Sequence, residues 1–257
     1  MNPLMDRLAS GGVACGTFVM YVRTPGFVRL AKAAGLDFVV VDLQHSGFGF
    51  ETVADMCEVG RAAGISVLVR PNDVSQDSIN RILDAGADGI VLHDVCSAEQ
   101  LRRSISMTRY PPHGGRGIAL GGPGADYRAE PIDTEFLEQC NERVVVVAQI
   151  ESAIGLEHLD EILDVEGITA VEVGKQDLSI SLGVPGERSH PRVVDAARRV
   201  VDACAARDIV VFLSASSREQ IGDCVASGAR MITWRTDKAI LLGEYRSFVS
   251  DLADFID

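Results

Sequence analysis

The chain runs to 257 residues, 47% of them apolar and 24% charged, with a formal net charge of −13 at pH 7. That length is typical of one large α/β barrel and leaves enough apolar residues for a sizeable core. The acidic balance excludes nucleic acid and anionic membrane surfaces as partners, and an anionic substrate would need positive charge from within its own site.

Met1 to Ser10 lack the apolar stretch of a secretory signal, and no apolar run approaches the ~20 residues that span a bilayer. A soluble, cytoplasmic protein is expected. The six cysteines (Cys15, Cys57, Cys96, Cys140, Cys204 and Cys224) show no CxxC spacing and read as reduced, mostly buried thiols. A first strand is predicted over Cys15–Met20. Thr24-Pro25 then marks a helix start, with Phe27, Leu30, Ala31 and Ala34 on one face and Gly35 as the stop. The second strand, Phe38–Leu43, delivers Asp42, Gln44 and His45. The third, Ser66–Arg70, opens into Arg70-Pro71-Asn72-Asp73, and Ile79, Ile82 and Leu83 mark the helix after it. The fourth, Gly89–Leu92, leads to His93-Asp94.

The rhythm then breaks. Between Met107 and Ile132 lie Tyr110-Pro111-Pro112-His113-Gly114-Gly115-Arg116-Gly117 and Gly121-Gly122-Pro123-Gly124. A connection this long in a compact domain is usually functional or disordered; two placements stay open, over its own barrel mouth or against a neighbouring subunit. The fifth strand, Val144–Ile150, delivers Gln149 and Glu151, and the sixth, Ala170–Val173, delivers Gly174-Lys175-Gln176-Asp177. The seventh, Ile209–Leu213, precedes Ser214 and Ser216, and Ser216-Ser217-Arg218-Glu219 fits a capping box. After the eighth, Met231–Trp234, comes Arg235. A last helix from about Ala239 carries Leu241, Leu242, Tyr245, Phe248, Val249 and Leu252.

The strands are rich in Val and Ile, and several are apolar without alternation, as parallel strands buried on both faces should be. Eight of them, each followed by a helix, predict a single (β/α)8 TIM barrel over residues 1–257. A doubly wound open sheet is the competing architecture, but the glycine fingerprint that usually opens it is missing.

In such barrels chemistry sits at the C-terminal ends of the strands. Glu151 and Asp177 top adjacent strands and can face one cation, where oxygen-only ligation suits Mg²⁺ or Mn²⁺. Asp177 also precedes Leu178-Ser179-Ile180, so a helix N-cap is an equal reading from spacing alone. Arg70 ends an apolar strand and must emerge at the mouth, where its fork can hold a carboxylate or a developing enolate oxygen; a structural ion pair is the alternative. His45 follows a strand tip, and an imidazole titrates in the range a general base needs. His93 is similarly placed, without an assigned partner. His113, His158 and His190 read as surface or loop residues. A Schiff base on Lys175 is disfavoured, because the surrounding residues suit a metal enolate.

Asp42-Leu43-Gln44-His45, Val69-Arg70, Arg81 to Ala87, Arg109 to Gly117, Gln149-Ile150-Glu151 and Gly174 to Ser179 follow in an order and spacing that resemble the HpcH/HpaI aldolases. These are metal-dependent class II pyruvate aldolases of the phosphoenolpyruvate/pyruvate barrel superfamily, and the resemblance runs from about Gly16 to the last helix. It implies that Glu151 and Asp177 hold Mg²⁺, Mn²⁺ or Co²⁺. It makes His45 the base, with Asp84 raising its basicity, and Arg70 the enolate-stabilising group. Gln149 and Gln176 would border the 2-oxo acid together with Arg70 and Asp177. It further implies a small 2-oxo acid and an aldehyde as substrates, and a homo-oligomer, often a hexamer, in which the last helix packs on a neighbour. That helix's apolar face would equally suit its own barrel. Two positions depart from the family pattern: Lys175-Gln176 replaces a proline-containing pair, and His93 stands where a proline is frequent. These changes leave the metal ligands intact and would suit a more anionic partner substrate, or one carrying a thioester or phosphate group. A Claisen-type citrate- or malyl-like enzyme and a non-catalytic 2-oxo acid-binding barrel stay open as alternatives.

Overall fold

The computed structural model describes residues 2–128 and 132–256. Eight parallel strands form a closed barrel in sequence order. They are β1 (Ala14–Val19), β2 (Phe38–Asp42), β3 (Ser66–Arg70), β4 (Gly89–Leu92), β5 (Val145–Ile150), β6 (Ala170–Val173), β7 (Val210–Ala215) and β8 (Met231–Thr236). The ring closes where β8 pairs with β1, Ala14 opposite Met231. The helices before the long connection are α1 (Pro3–Ala9), α2 (Gly26–Ala33), α3 (Phe50–Ala63), α4 (Gln76–Asp84) and α5 (Ala98–Thr108). After it come α6 (Thr134–Arg143), α7 (Ala153–Glu157), α8 (Leu159–Leu163), α9 (Lys175–Ser181), α10 (Pro191–Ala205), α11 (Arg218–Ala226) and α12 (Asp237–Ile256).

The pleat explains why the strand sequences are apolar throughout. Phe18, Phe38, Val40, Leu68, Val91, Val145, Val147 and Phe212 point inward and fill the barrel, while Val39, Val41, Val67, Val69 and Val146 point outward against the helices. Gly89 is needed for the close approach of β4 and β5, since a Cβ there would lie 2.3 Å from the Val145 carbonyl oxygen.

The periodic strand signals do not reveal α1. Its Leu4 and Leu8 join the inner apolar cluster, and Asn2 donates to the Arg143 carbonyl at 2.7 Å. The Leu4 N–H also bonds the Ser66 hydroxyl at 3.0 Å, so the helix plugs the end where the strands begin. At the expected Thr24 start, the helix opens one residue later than the sequence suggests, with Pro25 at the cap. The expected box at α11 is built on Ser217, which accepts from the Gln220 N–H at 3.2 Å. Gln220 returns the bond to the Ser216 N–H at 2.8 Å.

The long connection lies away from the barrel mouth. Arg116 pairs with Asp84 at 2.9 Å and stacks on Tyr110, 4.5 Å from its ring centroid. Gly124 packs against the Leu83 carbonyl, Asp126 pairs with Arg61 and Arg143, and Tyr127 donates to Glu58. The described part of the segment therefore braces the lower ends of α3 and α4, and does not cover its own mouth.

The last helix is held at its first residue. Asp237 is buried, and its carboxylate accepts from the N–H groups of Met20, Tyr21 and Val22 at 2.9, 2.9 and 2.7 Å. Beyond it, Leu242, Tyr245, Phe248, Val249 and Phe255 are exposed, so α12 does not bury its apolar residues on its own barrel. No described helix is long and apolar enough to cross a membrane.

Candidate active site

At the C-terminal ends of the strands the interior changes from apolar to polar. Asp42 and Arg70 end β2 and β3 in direct register, and both are buried. Arg70 makes a two-pronged contact, Nε to Asp42 Oδ1 at 3.0 Å and Nη2 to Asp42 Oδ2 at 2.7 Å. Its Nη1 reaches the Gln149 Oε1 at 3.5 Å, the long limit of a hydrogen bond, and the guanidinium lies 5.2 Å from the Phe18 ring centroid. Burial works against the charge, but Asp42, joined by the charges of Glu172 and Glu151, outweighs it and holds the Arg70 pKa above its usual value. The same Asp42 Oδ1 accepts from the N–H groups of Gln44 and His45, at 2.9 and 3.4 Å. One carboxylate thus fixes both the arginine fork and the turn that carries His45.

Glu151 follows β5 directly and is buried. Its Oε1 accepts from the Asp94 N–H at 2.8 Å, an amide aimed by the left-handed backbone of Asp94, at φ 51°. Its Oε2 is buried with no hydrogen-bond partner among the described residues. Burial pushes its pKa up to about 7; the Asp94 N–H opposes the rise and the nearby Asp177 charge adds to it. Gly174 makes room for the group, since a Cβ there would lie 2.6 Å from both Glu151 Cβ and Oε2. Asp177 is exposed on the first turn of α9, whose N-cap is Gly174. Asp177 is therefore not the N-cap of this helix.

A divalent cation fits this pair. The buried, unpartnered Oε2 and the mutual repulsion of two carboxylates are what a cation would relieve. The described residues hold no group of three or more potential ligands, so two carboxylates leave coordination positions for substrate oxygens or water.

Sequence reasoning missed Glu172. It lies within the apolar-looking sixth strand, opposite Gln149 in register, and is 4% exposed. Burial raises its pKa to about 8 against the pull of Arg70, so it holds a proton at neutral pH. The available signal was one acidic residue at an inward position of a strand otherwise buried on both faces. Across the described residues seven buried side-chain polar atoms lack a partner, and five belong to this end: Gln44 Oε1, both ring nitrogens of His93, Glu151 Oε2 and Glu172 Oε2. Native interiors leave few such atoms, and their gathering at one rim marks where a ligand belongs.

Other expected residues are placed as follows. His45 and Gln176 are exposed at the rim. Lys175 is close enough to Cys224 of α11 for its charge to act on that thiol. Arg235 is occupied, with Nη2 on the Ser216 carbonyl at 2.7 Å. Asp84 is the last residue of α4, at the end of the barrel where strands begin, and its partner is Arg116. Because α4 runs antiparallel to the strands, one chain does not bring Asp84 to its own His45, so the pairing implied by the resemblance is not made within one chain. A cavity of about 340 Å³ opens along α5 beside the loop after β3, lined by Val74, Arg103 and Met107. It lies outside the strand ring, away from the clustered unpartnered groups, and is not taken as the site.

The two buried glutamates set a pH dependence for the metal-free protein. Both are ionised in the unfolded chain above about 4.5, yet the folded state keeps their protons to about 7 and about 8. The folded state binds more protons across that window, so these groups make stability fall as pH rises. Melting temperatures measured in chelator from pH 5 to 8 should decline, and Glu172→Gln should flatten the upper part of the decline. Parallel curves for the two proteins would refute the protonated Glu172.

The chain resembles known proteins over most of its length. The family described as HpcH/HpaI aldolase/citrate lyase matches residues 17–242. A 2-keto-3-deoxy-L-rhamnonate aldolase from Escherichia coli K12 is 31% identical over 236 residues, which cover 92% of this chain and 87% of that one. An HpcH/HpaI aldolase from Desulfitobacterium hafniense DCB-2 superposes with a TM-score of 0.93 at 32% identity, covering 98% of this chain and 97% of that one. A citrate synthase, SbnG, superposes with a TM-score of 0.86 at 29% identity, covering 99% and 97%.

Proposed function

The chain belongs to the HpcH/HpaI aldolase/citrate lyase family, and from that premise we propose that its mouth binds a pyruvate-type 2-oxo acid and makes or breaks the bond between C3 of that acid and an aldehyde. The enzyme is an aldolase, a carbon–carbon lyase. The observation that carries the site assignment is the buried, unpartnered Oε2 of Glu151 beside the Asp177 carboxylate.

Glu151 and Asp177 hold the divalent cation, with Mg²⁺, Mn²⁺ and Co²⁺ as the candidates. When bound, the cation supplies Lewis acidity that draws electron density from the 2-oxo group, so the C3 proton becomes removable near neutral pH. Arg70 faces the enolate oxygen, its fork already oriented by Asp42. The Gln149 amide holds the 2-oxo acid against the start of α9, where Gln176 forms the exposed border. His45 takes the C3 proton in the forward direction. In cleavage it takes the proton of the 4-hydroxyl, the C3–C4 bond breaks, and its electron pair becomes the enolate as the aldehyde leaves.

The test uses pyruvate alone. In D₂O with Mg²⁺, Mn²⁺ or Co²⁺, the methyl protons should exchange at a rate that EDTA abolishes. Exchange that persists in EDTA would sink the metal-assisted reading. The likeness to a citrate synthase supports a second reading, Claisen-type condensation; consumption of acetyl-CoA with oxaloacetate, without pyruvate exchange, would favour it.

The exposed apolar residues of α12 support a homo-oligomer in which this helix seats on another copy. Sedimentation of the full chain as a monomer would refute it.

A further inference from the structure

We propose that His93 selects the aldehyde partner of the 2-oxo acid by hydrogen-bonding a hydroxyl group carried on that aldehyde. This assignment rests on the aldolase reading above. Neither the proton transfer, the cation nor the binding of the 2-oxo acid uses His93. Yet it follows β4 directly, between the strand that ends in Arg70 and the strand that leads to Glu151.

The backbone around the ring is pinned. Asp94 adopts φ 51° and donates its N–H to Glu151 Oε1 at 2.8 Å, and the Val95 N–H bonds the Gln149 carbonyl at 3.2 Å. The imidazole therefore stands on a fixed support among the groups that hold the substrate. Both of its ring nitrogens are buried, and neither has a partner among the described residues. A polar ring left in this state is stabilised only when a ligand supplies the missing bonds.

The chemistry of the ring narrows the ligand. Burial, with Arg70 and His45 adding to it and Asp94 and Asp42 opposing, lowers the His93 pKa below 6.5 and keeps the ring neutral. A neutral imidazole offers one N–H donor and one nitrogen acceptor. The two nitrogens point to opposite sides of the ring, so one hydroxyl meets one of them, but it can meet either, donating to the bare nitrogen or accepting from the N–H. A carboxylate or phosphate would satisfy only the N–H, and would stand among Asp42, Asp94, Glu151 and Asp177 at the same rim. At this position the ring therefore favours a neutral, hydroxylated partner.

The experiment compares glycolaldehyde with acetaldehyde as partners for pyruvate, in the metal-loaded full-length enzyme. The unmodified enzyme should favour glycolaldehyde by about tenfold or more in kcat/KM, the order expected of one well-made hydrogen bond in a buried site. His93→Ala should bring the ratio close to one, and His93→Asn, which also donates and accepts, should restore part of the preference. His93→Phe keeps the bulk of the ring and serves the same comparison should the alanine variant fold poorly. A ratio unchanged across these variants, or an equal loss on both aldehydes, overturns the assignment. Pyruvate exchange by the unmodified enzyme, measured in parallel, separates the failures. No exchange overturns the enolate reading and the His93 role with it, while normal exchange with an unchanged ratio overturns His93 alone.

Discussion

Asp177→Ala is expected to slow pyruvate proton exchange by about 10³-fold, because Lewis-acid assistance is worth several kcal/mol and each decade of rate about 1.4 kcal/mol. The fold should survive, since Asp177 is exposed on the first turn of α9. Glu151→Gln is the sharper companion. Its amide oxygen can still accept from the Asp94 N–H that now bonds Oε1 at 2.8 Å, so the local geometry is retained while the charge is lost. Both variants should bind Mn²⁺ at least tenfold more weakly by calorimetry, a readout independent of turnover. Glu151→Gln should also remove the part of the pH-dependent instability that Glu151 causes in chelator. Undiminished Mn²⁺ affinity in both variants would show that the carboxylate pair is not the cation site.

Arg70→Ala should do damage of two kinds at once. Removing a preorganised donor aimed at developing negative charge costs about 10²–10³ in rate. It also strands the buried Asp42 carboxylate, and breaking a buried pair from one side typically destabilises by about 3–5 kcal/mol. The two effects can be separated. Arg70→Met combined with Asp42→Asn removes both charges and should recover much of the melting temperature without recovering exchange. Arg70→Lys keeps a positive charge but loses the fork that spans both Asp42 oxygens, so it should fold nearly normally and remain slow. If Arg70→Lys matched the unmodified enzyme in rate, a point charge would suffice and the oriented fork would not matter.

The fold was legible because its signals are short and local. Runs such as Phe38-Val39-Val40-Val41 and Val145-Val146-Val147 are apolar on both faces only if the sheet is covered on both sides, and helix stops such as Gly35 and Gly86 both adopt positive φ. Strand tips could be read for the same reason, which is how Arg70, Gln149, Glu151 and His45 were placed at the mouth. What escaped depends on direction and on long-range contact. Glu172 was hidden inside an apolar run, because one-dimensional periodicity does not say which interior positions lie deep and which lie at the mouth. Asp42 was visible as a rim residue, but its hold on Arg70 needed the β2–β3 register. Asp84 was assigned to His45 by resemblance; its place at the far end of α4 follows from the antiparallel run of helix against strand. The long glycine-rich connection marked itself as unusual, yet its anchors, Arg116 on Asp84 and Tyr127 on Glu58, join residues far apart in sequence and leave no local pattern.

The clasp at Asp237 bears on how the protein comes to exist. This carboxylate holds three successive amides of the loop after β1, and β8 is the strand that closes the ring against β1. The loop after β1 therefore waits for a residue made 217 positions later. Cotranslational folding can assemble earlier strand–helix units as they appear, but the rim after β1 cannot be fixed until the C-terminal segment emerges. A nascent chain stalled before residue 237 would carry Glu151, Asp177 and Arg70 already synthesised within an open seam. Competence for catalysis should thus wait for the segment that carries Asp237.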